Sequence, residues 1–299
     1  VESILLRAVW GVIIILGTVG NSLVIFTMVR HGDRSATSYY IIDLALADLA
    51  FITISFPLTS SMFADKNWLY GAFMCKLVNY IILVTLHATC ITLTAMTIDR
   101  YFAIVHPIRS IRNRTPKTSL LISLGIWIAS LMVCVPYLIF YRQVVVPDSG
   151  VYCLMDDEYV LSLSSIIVVL TTYVVPLIII VVCYTLILKH LWKSHTPMNG
   201  ASQSTGSSQS DKRRKKVTKM VAIVVILFAT FWFPIHAFNL CFVVWEDFPL
   251  TKVTMRIKMF ALTLSYASSC VNPFVYAFMG DGFRRAFHRT FPQVSRNGR

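Results

Sequence analysis

An acid, a base and an aromatic residue stand side by side at the end of a long apolar stretch of this sequence. Asp99, Arg100 and Tyr101 directly follow the stretch 74–98, in the run LTAMTIDRYFAIVHPI. A charge at the edge of an apolar segment is costly, so an ionisable group there indicates a functional site. The trio can belong to a functional site, or it can simply anchor the end of the stretch in water.

A second polar group lies deeper in the apolar sequence. Asp48 falls within the run LALADLA, and Asn272 precedes Pro273 in the run NPFVY. Carboxylate and hydroxyl oxygens are ligands that suit a hard cation. With help from Thr89, Ser269 and Asn272, Asp48 can hold such a cation, and the alternative is an ordinary buried polar network.

Seven apolar stretches are long enough to carry these residues across a membrane. The 299 residues are 56% hydrophobic and only 14% charged, which is more apolar surface than one water-soluble core of this size can bury. A membrane-spanning helix needs about 20 residues. The sequence therefore predicts an all-α membrane protein, a bundle of seven helices within residues 1–279. The predicted spans are 9–29, 39–63, 74–98, 119–140, 162–188, 217–244 and 257–279.

Basic residues indicate how the bundle is oriented. The first, third and fifth connections and the C-terminal segment hold 20 of the 27 Lys and Arg residues. Basic connections stay in the cytoplasm, so we expect the N-terminus outside and the C-terminus inside. The net charge of +13 is then a topology signal. The run DKRRKK at 211–216 is expected to be a cytoplasmic anchor rather than a nucleic-acid site. Because the chain begins at Val1, we expect an extracellular N-terminal segment to be missing.

Two of the seven cysteines fall on the outer side. Cys75 starts the third span and Cys153 lies in the second outer connection, so both face the oxidising side and are expected to form a disulfide. Two β-leaning stretches flank the turn signal at 147–150, which predicts a β-hairpin lid around Cys153. The other five cysteines lie in the spans and are expected to pack as small apolar side chains.

Three segments are predicted outside the spans. Residues 195–211 are rich in Ser, Gly and Gln, which predicts a flexible cytoplasmic loop. Residues 281–292 are expected to form an amphipathic helix on the membrane surface, followed by a cytoplasmic tail at 293–299. The apolar face of that helix carries Phe283, Ala286, Phe287 and Phe291.

Prolines fall inside five of the predicted spans. Each removes a backbone donor and favours a kink. A bundle that must rearrange can use such kinks as hinges. The prolines are Pro57, Pro136, Pro176, Pro234 and Pro273.

Taken in order, the motifs resemble those of rhodopsin-class (class A) G-protein-coupled receptors over essentially the whole chain. The stretches MCKLVNYI, TCITLTAMTIDRY and ALTLSYASSCVNPFVYAF are most similar to the galanin, kisspeptin and allatostatin-A receptor group. The matching motifs are GNSLV, LALAD, Trp68, Cys75 with Cys153, DRYFAIVHP, Trp127, Pro176 with Tyr184, FWFP and NPFVY.

The resemblance implies a role for each switch residue. Asp99 holds Arg100 at rest, and on activation Arg100 lines a cavity that accepts the C-terminal helix of a G protein. Trp232 transmits ligand contact, although it can also be a large core aromatic. The implied coupling residues are Asp99, Arg100, Tyr101, Ile108, Tyr184, Thr218, Asn272, Pro273 and Tyr276, and the transmission residues are Pro176, Phe228, Trp232 and Pro234.

The sequence departs from the family pattern at three places. Many relatives have an acid at the base of the sixth span that pairs with the arginine, but residues 213–216 are all basic here, and only a weaker hydrogen bond from Thr218 remains. Ser268 stands where Asn is frequent, which weakens the expectation of a sodium ion. Asp43 replaces the usual Asn, near Trp127, and is expected to stay protonated if it is buried.

The resemblance implies an extracellular peptide ligand, often C-terminally amidated, and the alternative is a lipid or other small molecule. Ile82 occupies the position where amine receptors place an Asp, and the seventh span has no Lys for retinal. The candidate pocket residues are Asn79, Ile82, His236, Asn239, Phe242, Arg256 and Tyr266. Two of them have alternative interpretations, since His236 can instead pack between helices and Arg256 can be a solvated charge at the rim.

A plasma-membrane receptor that is not an enzyme is therefore the expected function. A seven-helix transporter predicts inverted repeats or a path of acids, and an intramembrane enzyme predicts a nucleophile with its base. We find neither pattern in the sequence. The expected partners are a peptide, a heterotrimeric G protein, arrestin, a receptor kinase and membrane lipid. No cofactor is expected beyond an allosteric sodium ion.

Overall fold

The chain folds into a bundle of long helices with a β-hairpin at one end. The computed structural model describes residues 2–33, 35–65, 67–108, 110, 114–146, 150–195, 205–249 and 251–292. In chain order the elements are α1 (Glu2–His31), α2 (Ala36–Ala50), α3 (Phe56–Asp65), α4 (Gly71–Val105), α5 (Pro116–Val133), α6 (Val135–Phe140), β1 (Arg142–Val146), β2 (Gly150–Leu154), α7 (Glu158–Val169), α8 (Val175–His195), α9 (Thr205–Val244), α10 (Lys252–Met279) and α11 (Asp281–Thr290).

Seven helical spans follow from these elements, and the predicted seven-helix membrane fold is confirmed. Six of them are long and apolar enough to cross a membrane by composition alone. The seventh, α10, has 28 residues, so at about 1.5 Å per residue its length exceeds the ~30 Å of a bilayer core. It is less apolar because its buried face is polar. The buried polar residues of α10 are Ser265, Ser268, Ser269 and Asn272.

Prolines shape three of the spans in a way that the sequence did not specify. A π-helical turn at Phe51–Ser55 joins α2 to α3 just before Pro57, and another at Leu170–Val174 joins α7 to α8 just before Pro176. A proline cannot donate to the preceding turn, and a wider turn accommodates the freed carbonyl. The fourth span instead breaks at Cys134, ahead of Pro136.

Close contact between α1 and its neighbours fixes the centre of the bundle. Asn21 is fully buried, and its Nδ2 donates to the carbonyl oxygens of Gly17 and Ser269, each at 2.9 Å. A Cβ on Gly17 would stand 2.1 Å from Cδ1 of Ile52, so a larger residue at this position would require the Ile52 side chain to move. The α1 backbone is thereby tied to α10 and packed on the second span.

The hairpin is pinned to the end of the bundle opposite Asp99, which we call the hairpin end. Its two strands pair antiparallel from Arg142 opposite Leu154 to Val146 opposite Gly150. A disulfide joins Cys75 to Cys153, as predicted. Of the predicted turn at 147–150, residues 147–149 lie outside the described residues, and Gly150 begins β2. Of the five cysteines expected to pack in the interior, four are buried, but Cys241 is exposed.

The opposite end, which holds Asp99, Arg114 and Lys216, is called the basic end. The prediction of a flexible segment at 195–211 was wrong at its second half, because α9 already begins at Thr205. The following Lys and Arg residues are good helix formers and extend the sixth span beyond its apolar part. Residues 196–204 lie outside the described residues, as does the predicted tail at 293–299.

The predicted amphipathic helix is α11, which packs against α1 at the basic end. Phe283 and Ala286 are buried, and the ring of Phe291, just beyond α11, lies 6.5 Å from that of Phe26. Arg285 pairs with Asp33 at 3.0 Å on the other side. Apolar and ionic contacts together hold α11 in place.

Removal of the disulfide should destabilise the protein. Since it closes a loop between residues 78 positions apart, we expect Cys153→Ser to lower the free energy of unfolding by about 2–4 kcal/mol. Surface expression and the Tm of the purified protein measure the loss, and Cys75→Ser should match it. Cys241→Ser changes an exposed free thiol and is the control. Normal expression and Tm of Cys153→Ser would contradict a stabilising role.

Candidate functional site

Asp99 and Arg100 form a buried ion pair at the basic end of α4. An amino group of the Arg100 guanidinium bonds to Oδ2 of Asp99, and it also donates to Oγ1 of Thr37 at 2.6 Å. Arg100 is 5% exposed and Asp99 is 9% exposed. The two predicted residues are thus brought together, and Arg100 is held by its own neighbour and by α2.

A second arginine, which sequence reasoning missed, clamps the same carboxylate. Nε of Arg114 lies 2.5 Å from Oδ1 of Asp99, and its terminal amino group lies 2.8 Å from Oδ2. Two parallel bonds of this kind fix both distance and orientation. In the sequence, Arg114 is one of several basic residues in a connection, so it counted only toward topology. The sequence signal that could have singled it out is its position directly before Thr115, the residue that caps the start of α5.

The remaining coupling candidates are spread around the basic end. Tyr101 approaches His106 at 3.3 Å, and Tyr184 donates to the backbone carbonyl of Thr218 at 3.2 Å. Tyr276 is fully buried, and its hydroxyl has no hydrogen-bond partner among the described residues. Ile108 is 86% exposed, so a partner protein can reach it.

The base of the sixth span makes an ion pair that the sequence did not indicate. Lys216 lies 2.6 Å from Oδ1 of Asp281, the first residue of α11. The same carboxylate also pairs with Arg284. Hydrogen bonds from Lys216 and then Arg284 hold the pKa of Asp281 below its ordinary value. The acid therefore stays charged at neutral pH.

The polar residues near the middle of the bundle surround a cavity of about 10 Å³. Asn272 donates from Nδ2 to Oδ2 of Asp48 at 2.8 Å. Thr89, Ser268 and Ser269 also line the cavity. Its volume is enough for about one water-sized sphere. Its lining offers a carboxylate and four hydroxyl groups, the fourth from Thr85. The arrangement fits one small hard cation or one water molecule.

The aromatic residues above this cavity stack on one another. The ring of Trp232 lies 5.8 Å from that of Phe228 and 5.7 Å from that of Phe51. Trp232 and Phe228 also line the small polar cavity. Pro234 remains within the continuous helix α9, and Pro176 is buried at the start of α8. A shift of Trp232 would therefore change both the stack and the cavity.

His236 lies one helical turn beyond Trp232, toward the hairpin end. His236 is 5% exposed, and its ring lies tilted against two others, with centroids 5.8 Å from that of Trp232 and 5.1 Å from that of Tyr173. Nε2 of His236 has no hydrogen-bond partner among the described residues. Tyr173, which sequence reasoning missed, donates to the carbonyl of Ala229 at 2.8 Å. Tyr173 lies in the π-helical turn at Leu170–Val174. The direction in which its side chain points cannot be deduced from regular α-helical spacing.

The other pocket candidates do not all reach one surface. Asn79 donates to the carbonyl of Cys75 and approaches the disulfide sulfur of Cys153 at 3.2 Å, beneath the lid. Tyr266 is buried in the core, where its ring stacks on Phe56 and its hydroxyl bonds to Thr59.

The candidates nearer the rim are more accessible. Ile82 and Asn239 are half-buried, while Phe242 and Arg256 are exposed. Phe242 lies beside Phe248, with ring centroids 5.7 Å apart. Asp43, one of the three residues that depart from the family pattern, is also buried. It lies beside Ser123 and Trp127, between the second and fourth spans.

Comparison with known proteins matches this geometry to one family. The family model described as "7 transmembrane receptor (rhodopsin family)" matches residues 20–276. Galanin receptor 2a of Danio rerio is 35% identical over 300 residues, which cover 99% of this chain and 80% of that protein. G-protein coupled receptor 54 of Oreochromis niloticus is 37% identical over 297 residues, with 95% and 77% covered. The KiSS-1 receptor of Homo sapiens is 35% identical over 308 residues, with 99% and 76% covered.

These similarities cover nearly the whole chain and the bundle that holds the switch residues. They identify a multi-pass plasma-membrane receptor that acts through G proteins and is not an enzyme. The chain belongs to the rhodopsin family of seven-transmembrane receptors, among the neuropeptide receptors similar to the galanin and KiSS-1 receptors.

Proposed function

We propose that this receptor is activated by an extracellular, C-terminally amidated peptide of the galanin, kisspeptin or allatostatin-A type. The observation that carries the proposal is the buried Nε2 of His236, which has no partner among the described residues. A buried polar group without a hydrogen bond costs about 1–3 kcal/mol. A ligand amide that reaches His236 would remove this cost, and it would do so directly beside Trp232.

An acidic and aromatic groove at the hairpin end supports a peptide rather than a smaller ligand. A cavity of about 490 Å³ opens between the end of the hairpin, α7 and the end of α9. Asp156, Glu158 and Glu246 line it together with Phe242 and Trp245. Acidic groups at an entrance attract a basic partner, and aromatic rings give it contact area. A lipid or other small-molecule ligand is the alternative.

The proposed mechanism is a two-state rearrangement of the bundle. Peptide contact at His236 shifts Trp232, and the shift reaches the basic end, where Arg100 leaves Asp99. The opened cavity then accepts the C-terminal helix of a G-protein α subunit, in the manner of a helix in a groove. Tyr184 and Tyr276 support the open state, and Ile108 enters an apolar pocket of the G protein.

This mechanism requires the basic end to face the cytoplasm and the hairpin end to face outward. The excess of Lys and Arg at the basic end supports that orientation. Arrestin and a receptor kinase are then further cytoplasmic partners. The lipid-facing surface of the spans and the apolar face of α11 contact membrane lipid.

The cavity beside Asp48 is proposed to hold a sodium ion in the resting receptor. Its single-ion size and its carboxylate and hydroxyl oxygens support the proposal. Asp48, Thr89, Ser269 and Asn272 would hold the ion, which would supply positive charge that favours the resting packing around Trp232.

A peptide screen tests the ligand class. Cells that express the receptor with a promiscuous G-protein α subunit and a calcium reporter should respond saturably to one family of amidated neuropeptides. The free-acid form of the active peptide should be weaker, and His236→Ala should lower the potency about tenfold or more, since an unpaired polar group is left behind. Exposed Lys252→Ala is the control. No peptide response with normal surface expression, or a response to a lipid, would contradict the proposal.

Arg100→Ala tests the switch. It should abolish G-protein activation by the active peptide while peptide binding stays measurable, because Arg100 lies at the opposite end from the pocket. Lys117→Ala is the control, since it removes an exposed positive charge near the start of α5 and should leave the peptide response in place. Intact signalling by Arg100→Ala would refute the role.

Sodium dependence tests the cation site. Raising sodium at constant ionic strength should lower agonist affinity in the wild type by about fivefold, a modest allosteric coupling. Asp48→Asn should remove this dependence because the carboxylate is lost. Potassium is the ionic control, and an equal effect of both ions would argue against the site.

A further inference from the structure

Residues 213–216, at the base of α9, are all basic. None of the four can form an ion pair with Arg100, because all five side chains carry positive charge. Lys216 faces α11 and lies 2.6 Å from Oδ1 of Asp281. The contact joins the sixth span directly to the surface helix.

Asp281 is a firm partner because its own helix is fixed. As the first residue of α11, its negative charge is favoured by the helix dipole. Arg284 pairs with it on the same helix. Phe283 and Ala286 are buried, and Arg285 pairs with Asp33 near the end of α1. Lys216 is therefore attached to a helix that is itself packed on the bundle.

The ion pair stands at a cavity of about 350 Å³ at the basic end. Lys216 and Met220 of α9 line this cavity together with Asp281 of α11 and Arg100 of α4. Because Lys216 and Asp281 are also bonded to each other, α9 cannot move away from α11 and widen the cavity while the ion pair is intact.

We propose that the Lys216–Asp281 ion pair is a latch that holds the base of α9 closed in the resting receptor. It replaces an acid–arginine contact that α9 cannot make. The inference rests on the proposed activation by opening of this end. A partner helix, or a signal from Trp232, must separate Lys216 from Asp281 before the cavity can widen.

Charge reversal tests the latch without any ligand. Lys216→Glu and Asp281→Lys should each raise basal nucleotide exchange on purified G protein about two- to fivefold, the effect expected of one half-exposed ion pair. The double variant Lys216→Glu/Asp281→Lys restores opposite charges and should return basal exchange to near the wild-type rate. Lys216→Gln, which removes the charge without reversing it, should lie between wild type and Lys216→Glu.

Two controls isolate the contact between the helices. Arg289→Ala removes an exposed positive charge from α11 about two helical turns after Asp281 and should leave basal exchange unchanged. Lys219→Glu makes the same charge change on an exposed position of α9 and should also have no effect. Equal increases in these controls would show a general charge effect and would overturn the latch.

A distance measurement shows whether α9 moves away from α11, independently of any change in how the variants contact the G protein. Spin labels at Lys219 and Arg289, in a Cys241→Ser background, report the separation of α9 and α11 by double electron–electron resonance. Lys216→Glu should add a longer distance in the absence of G protein, and the double reversal should remove it. Unchanged distances in the single variants would overturn the latch. Because this readout needs no peptide, a failed peptide screen and a failed latch give different results.

Discussion

The absence of water in the bilayer core governs this structure more than any other constraint. A polar group there must find its partner within the protein. Asn21 therefore bonds two backbone carbonyls on different helices, and Asp48 receives an amide from Asn272. The bonds from Asn21 to Ser269 and from Asn272 to Asp48 each tie one span to another, so the polar residues also determine which helices lie together.

The same constraint separates the receptor into three layers. Contacts at the hairpin end are aromatic or polar and partly open to water, as at Phe242 and Asp156. The middle is nearly closed, with a cavity for one small particle beneath Trp232. The basic end is held by ion pairs at Asp99 and Asp281. A signal that crosses the membrane must pass through the closed middle layer by a shift of packed side chains.

Sequence alone predicted much of this arrangement. The seven spans followed from the length of the apolar runs, and the disulfide followed from the placement of Cys75 and Cys153. The ends of the helices were harder to predict. For example, α9 includes charged residues that favour helix and extends far beyond its apolar part. Tyr266 was expected in the pocket, but it is buried in the core and bonded to Thr59, since the polarity of a side chain does not reveal which way it turns.

The contacts that sequence missed join residues distant in the chain. Nothing local marks Lys216 as the partner of Asp281, 65 positions away. Tyr173 contacts His236 from within a π-helical turn. Such a turn rotates the following side chains around the helix axis, so a prediction that assumes regular α-helical spacing assigns them to the wrong face. The sequence likewise does not show that Arg114, 15 positions after Asp99, lies against that carboxylate.

Arg114 also changes the energetics of the switch. A carboxylate that loses its sole partner in a buried position costs about 3–5 kcal/mol. Two conformations in functional exchange differ by only a few kcal/mol. Asp99 has two arginines, so the departure of Arg100 leaves the carboxylate neutralised by a counter-ion that belongs to the connection rather than to the moving part. In the proposed transition Asp99 thus keeps one counter-ion after Arg100 leaves, and the step avoids the cost of an unpaired buried carboxylate.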